Sequence, residues 1–137
     1  MSLFRAKSNL MKSLKQIYTI KAPWEKVWQA LTDAKVIDEW GGGPAKMSDQ
    51  EGFEFEFWGG DIWGKNIKVI KGKQLVQEWT AGKWDKPSMV TFNLSEKNGK
   101  TELELIHEDI ADKEFSEIED GWKRYYLGPL KKLLEKS

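Results

Sequence analysis

The C-terminal segment of the chain carries a long apolar stripe at helical spacing, with a proline inside it. If residues 115–134 form a helix, apolar residues share one face about 140° wide: Phe115, Ile118, Trp122, Tyr125, Tyr126, Pro129, Leu130 and Leu133. Proline lacks a backbone N–H and clashes with the carbonyl four residues earlier, so Pro129 is expected to bend the helix near Tyr125. A long, bent helix with several aromatic residues suggests a fold in which a curved sheet wraps around the helix.

Most of the chain before this helix alternates apolar and polar residues, which predicts the strands of a half-buried sheet. The predicted strands are residues 16–21, 52–58, 62–70, 74–80, 88–94 and 101–108. Gly64 is expected to form a bulge, and Asn98-Gly99 is expected to form a two-residue hairpin turn. Because the connections are short, the strands are expected to follow one another as an antiparallel meander.

Two short helices are predicted between the first two strands. The first places Pro23 at its first helical position and is followed by apolar residues at helical spacing. The second spans residues 34–40, is capped by Asp33, and ends at a glycine run that begins with Gly41. The element order predicts an α+β fold, in which a curved antiparallel sheet of six to seven strands and two short helices enclose one long C-terminal helix.

Composition restricts the classes of function. The chain has 137 residues with 22 basic and 22 acidic side chains and no cysteine, which favours a cytoplasmic protein without disulfides or thiolate metal sites. No basic stripe is interleaved with the aromatic residues, so nucleic-acid binding is not expected. No apolar run approaches the roughly 20 residues of a membrane span. Residues 1–13 are interpreted as a flexible leader, and residues 14–137 as a single domain.

Several short segments together resemble a known family. They are Ala22-Pro23-Trp24-Glu25-Lys26-Val27-Trp28, Trp40, Gly52-Phe53-Glu54-Phe55 with Gly60 and Gly64, Trp79, Asn98-Gly99-Lys100-Thr101-Glu102-Leu103, and Gly121-Trp122-Lys123-Arg124-Tyr125-Tyr126. Their order resembles the START-like helix-grip superfamily (also called SRPBCC), and within it the AHSA-type family named for the activator of the heat-shock protein 90 ATPase. The resemblance covers about residues 14–136. It implies a helix-grip fold and a stress-related or co-chaperone role through contact with a heat-shock protein 90-type chaperone.

Aromatic residues are expected to converge between the sheet and the long helix. The candidates for lining a pocket there are Trp40, Phe55, Phe57, Trp63, Trp79, Phe92, His107, Trp122, Tyr125 and Tyr126. A helix-grip fold can leave a cavity at this place for a small hydrophobic ligand, but large side chains can equally fill it. The sequence leaves an open pocket and a filled core as equal alternatives.

His107 is the only histidine, and strand alternation places it on the inner face. A general base is one interpretation, and a hydrogen-bonded structural histidine beneath the helix, contacting a tyrosine hydroxyl, is the favoured one. An enzyme hypothesis, a cyclase-like or hydrolase-like activity, would use His107 with Tyr125 or Tyr126. No nucleophile–base–orienter set is visible, so a non-enzymatic binding domain without a cofactor is preferred.

Charged residues near the start of the last helix are candidates for a partner surface. They are Asp109, Asp112, Glu114, Lys123 and Arg124. The acidic residues of segment 108–120 lack the spacing of a calcium loop, and acids at a helix start complement its dipole. No metal site is therefore predicted. The preferred hypothesis is a stand-alone protein-binding domain, with a carrier or sensor of a small hydrophobic ligand as the alternative.

Overall fold

The computed structural model describes residues 11–136, which form a six-stranded antiparallel sheet and a layer of helices. The strands are β1 (Met11–Ile20), β2 (Glu54–Phe57), β3 (Ile62–Ile70), β4 (Gln74–Ala81), β5 (Ser88–Lys97) and β6 (Lys100–Ala111). Their order in the sheet is β1-β6-β5-β4-β3-β2, so the first strand joins the last one and β2 to β6 form a meander. The sheet is curved and the predicted α+β helix-grip fold is confirmed.

Strict alternation fixes which side chains the sheet buries. In β4, Leu75, Gln77 and Trp79 point inward and are at most 4% exposed, while Val76 and Glu78 face outward. The β5–β6 hairpin turns at Asn98-Gly99, where φ is 56° and 77°. Positive φ at both positions is what a two-residue hairpin turn requires, so the predicted turn is confirmed.

Strand β1 begins earlier than the sequence analysis expects. It starts at Met11 and pairs with β6, with a register shift between Lys12 and Leu14. On the opposite strand Asp109 has a φ of 64°, as in a bulge. Residues 11–13 therefore belong to the sheet and not to a leader, and the rest of the expected leader lies outside the described residues.

The two short helices are α1 (Trp24–Thr32) and α2 (Ala34–Trp40). Pro23 is the N-cap residue of α1, with ψ at 160°, and not its first helical residue as expected. The Asp33 side chain accepts a hydrogen bond from the Lys35 backbone N–H at 2.9 Å, which confirms it as the cap of α2. Gly41 ends α2 in the left-handed region at φ 108°.

Gly64 does not form the predicted bulge. It pairs regularly with Phe55 on β2 and with Trp79 on β4, whereas the irregularity of β3 lies between Asn66 and Lys68. A Cβ atom at Gly64 would lie against the backbone carbonyl of Glu78 and the ring of Phe55. Glycine is needed here because the neighbouring strand and a core ring approach the backbone closely.

The C-terminal segment is helical throughout but changes its pitch. It consists of α3 (Asp112–Gly121), a π-helical turn (Trp122–Leu127) and α4 (Gly128–Lys136). In the turn the Gly128 N–H donates to the carbonyl of Lys123, five residues earlier. The expected irregularity near Tyr125 is therefore a π-turn. The turn accommodates Pro129, because the shift to hydrogen bonds between residues five apart leaves no bond that the Pro129 nitrogen would have to donate. No helix within residues 11–136 is long and apolar enough to cross a membrane.

Candidate functional site: an aromatic cleft beside the C-terminal helix

Aromatic rings fill the space between the sheet and the C-terminal helix. Tyr126, on the π-turn, lies at the centre, with its ring centroid 4.5 Å from that of Trp40, 4.8 Å from that of Trp122 and 5.4 Å from that of Phe57. Eight of the pocket candidates are buried in this region: Trp40, Phe55, Phe57, Trp79, Phe92, His107, Trp122 and Tyr126. Their close packing favours the filled core of the two alternatives.

Two of the pocket candidates are not buried in the aromatic core. Trp63 is 42% exposed on the outer face of the sheet, because the pleat turns its neighbour Ile62 inward. Tyr125 is 59% exposed, because a π-turn contains more residues per turn than the 3.6 of an α-helix. The same change of pitch brings Leu127, which was outside the predicted stripe, into the core at 0% exposed.

His107 is enclosed and hydrogen-bonded at both ring nitrogens. The indole N–H of Trp122 donates to its Nδ1 at 2.9 Å, so the proton of the neutral ring sits on Nε2, which donates to the Ser88 hydroxyl at 2.7 Å. Burial lowers the pKa of His107 to about 3. The partners are a tryptophan and a serine, not the expected tyrosine, and this tautomer cannot take a proton from Ser88 through Nε2.

A second buried polar chain runs from the core to a loop. The Trp79 indole N–H donates to Gln77 at 2.8 Å, and the Gln77 amide donates to Asn66 at 2.9 Å. The Asn66 amide then donates to the backbone carbonyls of Ser48 and Gln50 at 2.8 and 3.0 Å. These polar groups are satisfied although they are buried, so the chain fixes the loop that precedes β2 to the sheet.

A small cleft of about 160 Å³ opens beside the aromatic core. It is lined almost entirely by apolar surface, from Trp58, Ile62, Trp79, Trp84, His107, Ile118, Gly121, Trp122, Tyr125 and Tyr126. The hydroxyl of Tyr126 is buried and has no hydrogen-bond partner within the described residues, and burial raises its pKa. The size and lining of the cleft fit one edge of a small apolar molecule or of an apolar side chain.

An adjacent cleft of about 310 Å³ shares Trp84 and Ile118 with the first. It lies between the β4–β5 loop and the start of α3. The partner-surface candidates Asp109, Asp112 and Glu114 are all in its lining. The structure therefore places these three acidic side chains along one groove whose floor is apolar.

The basic partner candidates lie on the π-turn, away from this groove's lining. Lys123 and Arg124 are both exposed, and the Arg124 Nε donates to Asp120 at 3.0 Å. That ion pair raises the pKa of Arg124, first through the hydrogen bond and then through the charge of Asp120. The five charged candidates thus form two groups and not one continuous surface.

Trp58, Trp84 and Ser88 were not singled out from the sequence. Trp84 had a detectable signal, since it is an isolated tryptophan in the polar loop that contains Gly82 and Pro87. Ser88 had no such signal in the sequence, because its contact with His107 depends on the pairing of β5 with β6. Within residues 11–136 no three His, Asp or Glu side chains are grouped so that they could hold a metal ion.

Comparison with known proteins identifies curated relatives of this chain. A curated relative from Dictyostelium discoideum, named an activator of 90 kDa heat shock protein ATPase homolog, is 37% identical over 62% of this chain and 23% of its own length. Human activator of 90 kDa heat shock protein ATPase homolog 1 is 26% identical over 78% of this chain and 32% of its own length. The chain thus spans no more than a third of either relative.

A solved structure shares the fold closely. The crystal structure described as an HSP90 activator from Plasmodium falciparum superposes with a TM-score of 0.81 at 25% identity, covering 89% of this chain and 95% of that chain. The family model described as activator of Hsp90 ATPase homolog 1-like protein matches residues 21–135, from the end of β1 through nearly all of α4. The chain therefore belongs to the AHSA1 family, whose name refers to activators of the Hsp90 ATPase.

Proposed function

We propose that this chain is a non-enzymatic protein-binding domain that contacts an Hsp90-type chaperone in the cytoplasm and raises its ATPase rate. The observation that carries the proposal is the family match across residues 21–135, together with relatives named as activators of that ATPase. The filled aromatic core adds support, because a domain with a packed interior acts through its surface.

The groove beside α3 is the surface that we assign to the partner. Trp84 and Ile118 provide apolar contact area. The charged side chains of the lining have both signs: Asp85, Asp109, Asp112, Glu114, Lys83, Lys86 and Lys113. Interfaces of this kind combine an aromatic anchor with charges that orient the partner. The groove would then receive an apolar side chain of the chaperone that has charged side chains of both signs beside it.

The test measures the ATPase rate of a purified Hsp90-type chaperone as the chain is added. We expect the rate to rise with saturation. The double variant Asp109→Asn with Glu114→Lys should weaken binding by roughly tenfold. Asn is used at position 109 because it tolerates the positive φ of 64°. An unchanged ATPase rate and no binding by calorimetry would reject the proposal.

A matched control has the same charge change away from the groove. Asp61→Asn with Glu39→Lys alters two exposed acids, one in the β2–β3 connection and one on α2. This control should bind the chaperone as the unmodified chain does. Equal loss of binding in both double variants would show that net charge matters and that the groove does not.

A second candidate function is binding of a small apolar ligand in the 160 Å³ cleft. The observation that favours it is the apolar lining together with the unpartnered hydroxyl of Tyr126. An apolar pocket with a single polar group is an ordinary ligand site, although this one is smaller than the several hundred Å³ usual for drug-sized ligands. The cleft would therefore take one aromatic ring or a short acyl end.

Indole is a suitable probe for the cleft, with the tryptophan indole N–H signals recorded by NMR. Trp79, Trp84 and Trp122 line the cleft, and their signals are expected to shift on titration. Trp63 lies on the outer face of the sheet and serves as an internal control whose signal should stay in place. No shift, or equal shifts for Trp63 and the cleft residues, would reject ligand binding at this place.

A further inference from the structure

The groove beside α3 lies at the point where the described part of the chain begins. Met11, the first residue of β1, is one of the residues that line the groove. It pairs with Ala111, the last residue of β6, which also lines the groove. Residues 1–10 are therefore attached at the wall of the groove and can reach it without crossing another part of the molecule.

The floor of the groove is apolar and only partly covered by the described residues. Trp84 and Ile118 are half-buried there, and so are Met11 and Ala111. The space between the lining residues is about 310 Å³. This volume is near the lower limit for ligand pockets, so it suits a few side chains of a peptide better than a drug-sized molecule. An uncovered apolar hollow of this kind favours an apolar occupant.

The segment that precedes Met11 has the composition of such an occupant. Its ten residues include no acidic side chain, three that are leucine or phenylalanine and two that are basic: Leu3, Phe4, Leu10, Arg5 and Lys7. Leucine and phenylalanine side chains are stabilised when they leave water for an apolar hollow, and an aromatic ring has the larger apolar area. Phe4 is therefore the side chain best suited to anchor the segment in the groove.

The charges of the groove complement those of the segment. The lining has four acidic and three basic side chains. Two of them are already in ion pairs, Asp112 with Lys12 at 2.9 Å and Lys83 with Glu117 at 3.1 Å. The others have an excess of one negative charge, which attracts a segment that has two basic side chains and no acidic one.

The length of the segment permits the contact. Phe4 precedes Met11 by seven positions, and seven extended residues span up to about 24 Å. This reach is several times the edge of a cube of 310 Å³. A tether this short gives the segment an effective concentration on the order of 1 mM at the groove, so a weak intrinsic affinity is sufficient to fill it.

We propose that residues 1–10 fold back into the groove beside α3 of their own chain, with Phe4 packed on Trp84 and Ile118. This contact goes beyond the proposed function, since it forms without a chaperone. One consequence rests on the proposed function: a partner that uses the same groove must first displace the segment. A groove that is open in about one molecule in ten binds its partner with an apparent Kd about tenfold higher than a groove that is always open.

A spin label on the segment tests the contact in the full chain. The chain contains no cysteine, so Ser2→Cys provides a single attachment point for a nitroxide, which broadens the NMR signals of nearby groups. We expect the indole N–H signal of Trp84 to be strongly broadened and that of Trp24 to stay sharp. Trp24 lies against Gly72, at the opposite end of β4 from Trp84, and this eight-residue strand is about 27 Å long.

Two variants with the same charge change distinguish the anchor from the charge. Phe4→Asp removes the proposed anchor and should abolish the broadening at Trp84. Asn9→Asp adds the same negative charge to the segment and should leave the broadening in place. Circular dichroism shows whether each variant is folded, and Leu3→Asp provides a second disruption if Phe4→Asp is not. In a mixture of labelled chain with unlabelled, isotope-enriched chain, the enriched chain should show no broadening, because the contact lies within one molecule.

Several outcomes would overturn the proposal. The first is equal broadening at Trp84 and Trp24, and the second is broadening at Trp84 that survives Phe4→Asp. Equal loss of broadening with Asn9→Asp would show that charge holds the segment and that the anchor does not. Broadening that appears only between chains would place the segment in the groove of another copy.

The chaperone assay distinguishes this proposal from the proposed function. Phe4→Asp should lower the concentration of chain that gives half-maximal activation of an Hsp90-type chaperone by roughly tenfold, whereas Asn9→Asp should not change it. No activation by any variant would reject the proposed function, while the broadening at Trp84 would still decide whether the segment occupies the groove. Activation that is unchanged by Phe4→Asp, with the broadening present, would show that the chaperone contacts another surface.

Discussion

His107 is held neutral by burial and by two specific contacts. Its Nδ1 accepts from the Trp122 indole, its Nε2 donates to Ser88, and the side chain is 1% exposed. Protonation would place a charge where no acid faces the ring and would break the contact with Trp122. The residue therefore links β5, β6 and the C-terminal helix as long as the ring is uncharged.

This neutrality makes the stability of the domain depend on pH. The pKa of His107 is about 3 in the folded protein and near 6.5 when unfolded, so the unfolded chain binds more protons between these values. The stabilisation is complete above pH 6.5 and is lost as the pH falls below it. We expect the free energy of unfolding to drop by about 1 kcal/mol between pH 7.5 and 5.5.

The variant His107→Gln separates this effect from the titration of carboxylates. Glutamine can still accept from Trp122, and it does not titrate in this range. Urea denaturation at the two pH values should show a smaller difference for the variant than for the unmodified chain. Equal differences would mean that His107 is not responsible.

How far the sequence predicts a side chain's role is clear at this residue. Alternation along β6 was sufficient to place His107 inside, because side-chain direction follows from strand period alone. Its partners were not predictable, since Ser88 and Trp122 reach it through strand register and helix pitch. Local sequence determines the direction in which a side chain points, whereas its contacts depend on the assembled fold.

At the scale of the element, the C-terminal helix combines a predicted stripe with a change of pitch that the sequence did not reveal. Pro129 indicated an irregularity, but a bend and a π-turn have the same local signal in the sequence. The difference appears only in packing, where Leu127 is buried and Tyr125 is exposed. The side chains of this helix that pack against the core are therefore offset from the stripe expected for a regular α-helix.

The π-turn predicts opposite effects for two glycines of this helix. At Gly128 a Cβ atom would collide with the backbone carbonyl of Lys123, so Gly128→Ala should destabilise the domain by about 1–3 kcal/mol. At Gly121 an added Cβ meets nothing within 4 Å, so Gly121→Ala should stabilise by roughly 0.5–1 kcal/mol. Thermal melts of the two variants measure both changes in stability. A stabilising Gly128→Ala would show that the helix prefers regular α-helical hydrogen bonds.

At the scale of the whole molecule, the element order and family were predictable and the grooves were not. Strand and helix periods predict the order of the elements. The family was suggested separately, by the resemblance that the short sequence segments carry. Trp84 and Ile118 line both clefts, and these two residues are distant in sequence. A surface made from separated loops has no local pattern by which sequence could reveal it.

Contacts between the C-terminal helix and β1 join the two ends of the described chain. The Lys131 ammonium donates to the Thr19 carbonyl at 2.6 Å, and the Lys21 backbone N–H donates to Glu135 at 2.9 Å. In the middle of β1, the Gln16 amide donates to the Glu119 carbonyl at 3.1 Å. The helix is thus fastened to the sheet along its length as well as through the core.

We therefore expect the domain to unfold as one unit, and Leu130→Ala tests this. Leu130 is 0% exposed, so the substitution should cost about 2–5 kcal/mol and lower the urea midpoint. Tryptophan fluorescence and far-ultraviolet circular dichroism should shift by the same amount, because core and sheet depend on the helix. Leu133→Ala, which is partly exposed, should give a smaller shift in both signals. Separate midpoints for the two signals would mean that the helix detaches before the sheet unfolds.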